Sequence, residues 1–171
     1  GALIGAINGI LITFLKLPPF IATLAMMLIA KGLALVISKV APVYTDGVKS
    51  WNQIALGNII PNFPNAVLIL LVAAIIASIV LNRTIVGRYT FAIGSNEEAT
   101  RLSGVNVRKW LIIIYTIGGI FTGLAGILLT SRLNSAQPAL GQGYELEAIA
   151  AVIIGGTSLL GGKGSILGTI I

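Results

Sequence analysis

The chain has 171 residues, of which 56% are hydrophobic and only 9% charged, and its mean hydropathy of +1.01 excludes an ordinary water-soluble globular domain. Cys and His are both absent, so disulfides, thiolate or imidazole metal sites and imidazole general bases are excluded. The net charge of +6 gathers at loop edges without a basic stripe interleaved with aromatics, a pattern that membrane topology explains without nucleic acid.

Apolar runs of about twenty residues alternate with polar loops, which predicts an all-α polytopic membrane protein forming one transmembrane domain over 1–171. The chain starts at Gly1 without Met and stops inside an apolar run at Ile171, so it reads as an internal fragment. Gly1 to Leu15 is expected to be the end of a membrane helix. Gly1, Gly5 and Gly9 recur every four residues, a spacing that lets helix backbones approach closely in lipid. Asn8 lies beside that stripe and either bonds across helices or faces a solute path.

Lys16-Leu-Pro-Pro19 breaks the chain, and Phe20 to Ser38 forms the next span. Lys31 interrupts it; its long stem either snorkels toward the outer face, the simpler reading, or serves transport. Lys39 to Asn65 is a longer loop with Pro42, Pro61 and Pro64, an amphipathic piece at Trp51 to Leu56, and Trp51 suited to a membrane interface. Ala66 to Leu81 is a third span, slightly short.

Asn82 to Trp110 is the longest polar interval and carries Arg83, Arg88, Arg101, Arg108 and Lys109 against Glu97 and Glu98. Such an excess of Lys and Arg marks the cytoplasmic side, which puts the Lys16 turn inside as well and Lys39 to Asn65 outside. Ser95-Asn-Glu-Glu98 matches an S-x-x-E capping box, and Gly104 supplies a stop, so a two-turn helix is predicted over Asn96 to Ser103. Glu97 and Arg101 stand four apart and in position to pair. A solvated connector is the plain alternative to a functional role.

Leu111 to Thr130 is the clearest span, with Gly119 and Gly123 forming a G-x-x-x-G packing motif. After the outer segment, Glu145 and Glu147 suit the positive end of a helix dipole. Ala148 to Ile154 is apolar but is broken by Gly155-Gly156 and again by Gly161-Gly162-Lys-Gly164, as expected of a discontinuous or re-entrant helix lining a path. A further helix starts in Gly164 to Ile171. Asn8, Gln137, Gly155, Gly156 and Thr157 are the candidates for the translocation path.

GGTSLLGGKGS fails the phosphate-binding pattern G-x-x-x-x-G-K-[ST], because Thr157 holds its first position and Gly164 its last, so this chain is not expected to bind ATP. The carboxylates form no buried acid–base pair, and no hydroxyl has a histidine partner. No cofactor is expected, and the chain reads as a transport component rather than an enzyme.

NGILITFLKLPPFIATLAMM, GRYTFAIGSNEEATRLSGVNV and SAQPALGQGYELEAIAAVIIGGTSLLGGKGSILGT, in that order, resemble the permease subunits of bacterial ABC importers for monosaccharides, most nearly the ribose type. The resemblance covers essentially the whole chain. It implies a bacterial inner-membrane, multi-pass permease of about ten helices that pairs with a second permease copy amid membrane lipid. It further implies an ABC ATPase subunit and a periplasmic or lipoprotein sugar-binding protein. In the family, the segment resembling Gly94 to Val107 is the cytoplasmic coupling region, which docks in a cleft of the ATPase. The resemblance thereby assigns ATPase coupling to Gly94, Asn96, Glu97, Glu98, Ala99, Arg101, Leu102, Ser103 and Gly104, within a coupling loop over 82–110. An ion-gradient-driven carrier is the competing class, with Lys31 as its main ionisable residue at depth.

Overall fold

The computed structural model describes residues 1–45, 50–61 and 63–171; residues 46–49 and 62 of the expected outer loop lie outside the described residues. Among the described residues the elements run α1 (Ala2–Phe14), α2 (Pro19–Ile37), β1 (Val43–Tyr44), α3 (Trp51–Leu56), α4 (Asn65–Arg83), α5 (Ile85–Ser95), α6 (Glu97–Leu102), α7 (Val107–Leu133), β2 (Ser135–Ala136), α8 (Tyr144–Ile154) and α9 (Ile166–Ile170). Three helices, α2, α4 and α7, are long and apolar enough to cross a membrane. At 1.5 Å per residue α2 and α4 reach about 28 Å and α7 about 40 Å, against a hydrocarbon layer of about 30 Å. The third span is thus not short: Asn65 at one end and Asn82 and Arg83 at the other continue the helix, and polar groups are tolerated at its ends.

Proline fixes where α2 begins. Pro19 occupies its first turn, where the missing N–H removes no helical bond, and Pro18 is its N-cap. The chain therefore turns sharply at 15–18, and α1 packs beside α2.

The largest interface joins α1 to α7. Gly5, Gly9, Ile12 and Thr13 are the buried face of α1, spaced at three and four residues. A Cβ on Gly9 would lie only 2.7 Å from the Ile112 Cα, and one on Gly119 only 3.0 Å from the Gly5 Cα. The two glycine stripes of the sequence thus meet each other, backbone against backbone, as small residues do in lipid.

A second cluster closes the outer end of α7. Val43 pairs with Ala136 and Tyr44 with Ser135 in an antiparallel two-strand ribbon, which brings the two outer segments together. Ser131, fully buried, donates its hydroxyl to the Trp51 carbonyl at 2.7 Å and accepts the Ala55 N–H at 3.0 Å. Asn65 accepts from the Ile59 N–H at 2.9 Å and donates to the Gln53 carbonyl at 2.9 Å, which fixes α3 over the start of α4. Trp51 stands in this packed cluster, half-buried, with its carbonyl accepting from Ser131. Lys31 reaches the Gln142 amide oxygen at 2.8 Å, so its ammonium is turned toward the outer segment.

The polar interval 82–110 holds more helix than its sequence suggests. After Arg83 the backbone breaks at Thr84, with φ −107° and ψ 167°, and α5 folds back on α4. Gly87 permits the corner, since a Cβ there would collide with the Leu81 backbone, its Cα 2.7 Å away. Tyr89 and Trp110 meet as a tilted ring pair, centroids 4.7 Å apart and planes at 57°, and tie α5 to the first turn of α7. That span begins at Val107, four residues before the expected Leu111, because Asn106 caps it by accepting from the Lys109 N–H at 3.1 Å.

The end of the chain is a helical hairpin. Glu145 and Glu147 occupy the first turn of α8, and Glu145 accepts the Gly143 N–H at 3.0 Å. With 11 residues α8 is about 16 Å long, half a membrane thickness. α9 returns against it. At most 6% of each spanning segment is buried within the chain, so its side chains meet lipid or other protein.

Candidate functional site

One end of the molecule, the inner end by the charge rule, gathers the Lys16 turn, the end of α5, α6 and the start of α7 around a cavity of about 780 Å³. Thr13, Lys16, Ile93, Glu97, Arg101 and Arg108 line it. Arg108 also lies over the Phe14 ring, 5.9 Å from its centroid, joining the start of α7 to the end of α1. The charge rule places the Lys16 turn and the basic interval on one face, and the cavity they share agrees with that placement.

α6 stands at the rim. Its capping differs from the S-x-x-E reading. Ser95 ends α5, and Asn96 is the N-cap, its side-chain oxygen accepting the Ala99 N–H at 2.9 Å. Asn96 wins the position because its extended backbone, φ −157° and ψ 102°, is the one that turns α5 into α6. Glu98 does not reach back to complete a box. It pairs instead with Arg101 at 2.6 Å, three residues on, while Glu97 faces the cavity and is not Arg101's partner. Both members of the pair are about two-thirds exposed, so the contact contributes little to stability.

The far end of α6 closes as its glycine predicts. Gly104 adopts φ +82° and donates its N–H to the Arg101 carbonyl at 3.1 Å, and Ser103 donates its hydroxyl to the Ala99 carbonyl at 2.9 Å. Thr100 is the buried residue of this helix, with its hydroxyl on the Asn96 carbonyl at 2.8 Å. The rest of α6 is solvent-exposed: Glu97 and Arg101 at the rim of the cavity, Glu98 and Ala99 away from it, and Leu102 at 79% exposure. α6 is thus a short helix, capped at both ends, that presents Leu102 and Ala99 to the outside among charged side chains.

Gly94 sits one turn earlier, inside α5, against the backbone of Gly161 and Gly162. This contact brings the glycine-broken hairpin to the inner end of the molecule. The sequence gives no sign of it.

The five candidates for the translocation path fall in three separate places. Asn8 lies midway along α1, and its side-chain oxygen is buried without a hydrogen-bond partner. Gln137 belongs to the outer segment, where its amide donates to the Ser135 hydroxyl at 3.3 Å beside a groove between α2 and α7. Gly155, Gly156 and Thr157 end α8. Their breaking of the helix does not strand its backbone: Gly156, at φ +85°, donates to the Ile153 carbonyl at 2.9 Å and Thr157 donates to the Val152 carbonyl at 3.1 Å. That is a Schellman closure, which satisfies the groups that unpaired glycine backbone at depth would leave open.

The family described as "Branched-chain amino acid transport system / permease component" matches residues 1–171. The chain is 45% identical over 174 residues to the ribose import permease protein RbsC of Escherichia coli (strain K12), covering 100% of this chain and 54% of the relative. It is 46% identical over 164 residues to RbsC of Bacillus subtilis (strain 168), covering 96% and 51%. Against the fructose import permease protein FrcC of Rhizobium meliloti it is 42% identical over 176 residues, covering 98% and 48%. The chain therefore spans about half the length of the curated relatives it matches. No solved structure matches it.

Proposed function

Because the chain belongs to the family of branched-chain amino acid transport system / permease components, an all-helical, multi-pass membrane family, we propose that it is the transport part of an ATP-driven importer. A monosaccharide, with ribose-like sugars first, is its solute. In this reading a separate ABC ATPase hydrolyses ATP, a sugar-binding protein outside the membrane delivers the solute, and a second permease copy completes the channel. α6 is the element that the ATPase engages.

The observation that carries the reading is the form of α6: a helix capped at both ends by Asn96 and Gly104, held by buried Thr100, with Leu102 79% exposed on the cation-rich face. Within this proposal Gly94 fixes the base of α6, Glu97, Glu98 and Arg101 set its charge register, and Ala99 and Leu102 enter the ATPase cleft. Of the path candidates, Asn8 is the one with a free buried acceptor for a sugar hydroxyl.

The test is uptake of labelled ribose by the complete permease in vesicles. Uptake that needs the ATPase and ATP, and persists when proton and sodium gradients are collapsed, supports the importer. Uptake that follows an ion gradient without any ATPase would establish the carrier in its place.

A further inference from the structure

The hairpin of α8 and α9 is a compact unit. Its turn is closed by the Ser158 N–H on the Lys163 carbonyl at 3.0 Å and the Gly161 N–H on the Ser158 carbonyl at 3.1 Å. Above the turn the helices touch through backbone, since a Cβ on Gly155 would lie 2.6 Å from the Gly168 carbonyl carbon. This unit meets the rest of the inner end at the last turn of α5. A Cβ on Gly94 would lie 2.8 Å from the Gly162 nitrogen, one on Gly161 would lie 2.9 Å from the Gly94 Cα, and one on Gly162 would lie 3.0 Å from the Ser95 Cβ. No side chain separates the two backbones here, so there is no rotamer to absorb a displacement.

Only Asn96 lies between this contact and α6. We infer that Gly94, Gly161 and Gly162 are positioning residues that join α6 to the α8–α9 hairpin as one mechanical body, so that movement of α6 is passed directly to the hairpin during transport. The inference rests on the assignment of α6 to the ATPase and adds the receiving element. Transmission through this contact does not depend on bending α4 or α7. Tyr89 on Trp110 and Gly87 on Leu81 hold the other flanks of α5, leaving its last turn as the part that reaches the hairpin.

Two variants of the complete permease, assembled with its ATPase in a cysteine-free background, test this. In Ser95→Cys with Gly162→Cys the Cβ separation of 3.0 Å must widen to the roughly 3.5–4.5 Å of a disulfide, and Gly162, at φ +77°, must accept a side chain, so uptake by the reduced double variant is the baseline. If the contact stays closed through the cycle, the oxidised protein retains most of its ATP-driven uptake. Arrest on oxidation and recovery on reduction would overturn the inference, because the contact would then have to open. In Gly161→Ala the added Cβ, 2.9 Å from the Gly94 Cα, wedges the backbones apart from the hairpin side. ATPase association and hydrolysis should persist while sugar moved per ATP falls about fivefold or more. Unchanged sugar per ATP would overturn the inference too. If Gly161→Ala fails to assemble, the cross-link decides alone. Failure of the α6 assignment shows separately, as an unchanged ATPase affinity in Leu102→Ala.

Discussion

Leu102 offers the sharpest test of the docking surface, because its exposure separates binding from folding. The side chain is 79% exposed, so truncating it removes almost no contact within the chain, and the fold should change by no more than about 0.5 kcal/mol. If an ATPase cleft buries it, most of its apolar surface leaves water on docking. Fully burying a leucine contributes about 1.5–3 kcal/mol, so Leu102→Ala should lose on the order of 1–2 kcal/mol of association energy. That raises the dissociation constant about five- to thirtyfold. The assay is titration of the ATPase onto the complete permease in lipid nanodiscs, with thermal unfolding of the permease measured beside it. Thr100→Ala supplies the contrast, since Thr100 is buried and its hydroxyl serves Asn96. That variant should lower the melting temperature as well. An unchanged dissociation constant for Leu102→Ala, with the permease folded, would refute the reasoning and return α6 to a solvated connector.

The packing of the remaining chain yields two further expectations. Gly9→Leu places a Cβ 2.7 Å from the Ile112 Cα and should part α1 from α7, costing about 1–3 kcal/mol in thermal or denaturant unfolding. Gly118→Ala on the same α7, whose Cβ would meet no atom within 4 Å, should be close to neutral. Ser131→Ala leaves the Ala55 N–H and the Trp51 carbonyl without their partner in a buried site, a loss of about 1–3 kcal/mol. Hydrogen exchange should quicken in α3 while α6 is unaffected; protection of α3 at wild-type level would contradict that account.

Much of this architecture was legible in the residues, and the parts that were not have physical reasons. The spans followed from apolar length, and the close-packing faces of α1 and α7 from glycines four residues apart on each, although nothing in the sequence said that these two faces meet each other. Gly104 marked a helix stop because only a residue without Cβ takes φ +82° without strain. α5 was missed because Arg88 and the glycines of its sequence read as loop. Its helical signal was Val86, Thr90 and Ile93, at intervals of four and three, facing inward. The capping error has a similar source: Ser95 and Asn96 are both good caps, and the choice between them depends on where α5 ends. Contacts between distant segments, such as Gly94 on Gly161 and Gly162, leave no local trace, since nothing near Gly94 in sequence reports what lies across from it.

Glycine performs two opposed tasks in this chain, and their placement bears on how the proposed transport could be driven. Along α1 and α7 it lets two helices close along a whole face, and helices in lipid gain their affinity from such close packing rather than from burial of apolar area. That interface resists change, because separating it exposes backbone with no side chain to refill the gap. At Gly141, Gly143 and Gly156 the same residue type takes φ of +88°, +95° and +85°, which bends the chain into and out of α8. α8 is therefore bounded by turns at both ends and packs chiefly on α9, while α1 and α7 form the broad fixed interface. A solute path that opens and closes needs one part that holds and one that shifts. The α1–α7 pair has the contacts to hold. The α8–α9 hairpin touches α4 through α9 and meets the base of α6 through Gly161 and Gly162, the attachment by which, in the proposed coupling, a force on α6 would reach it.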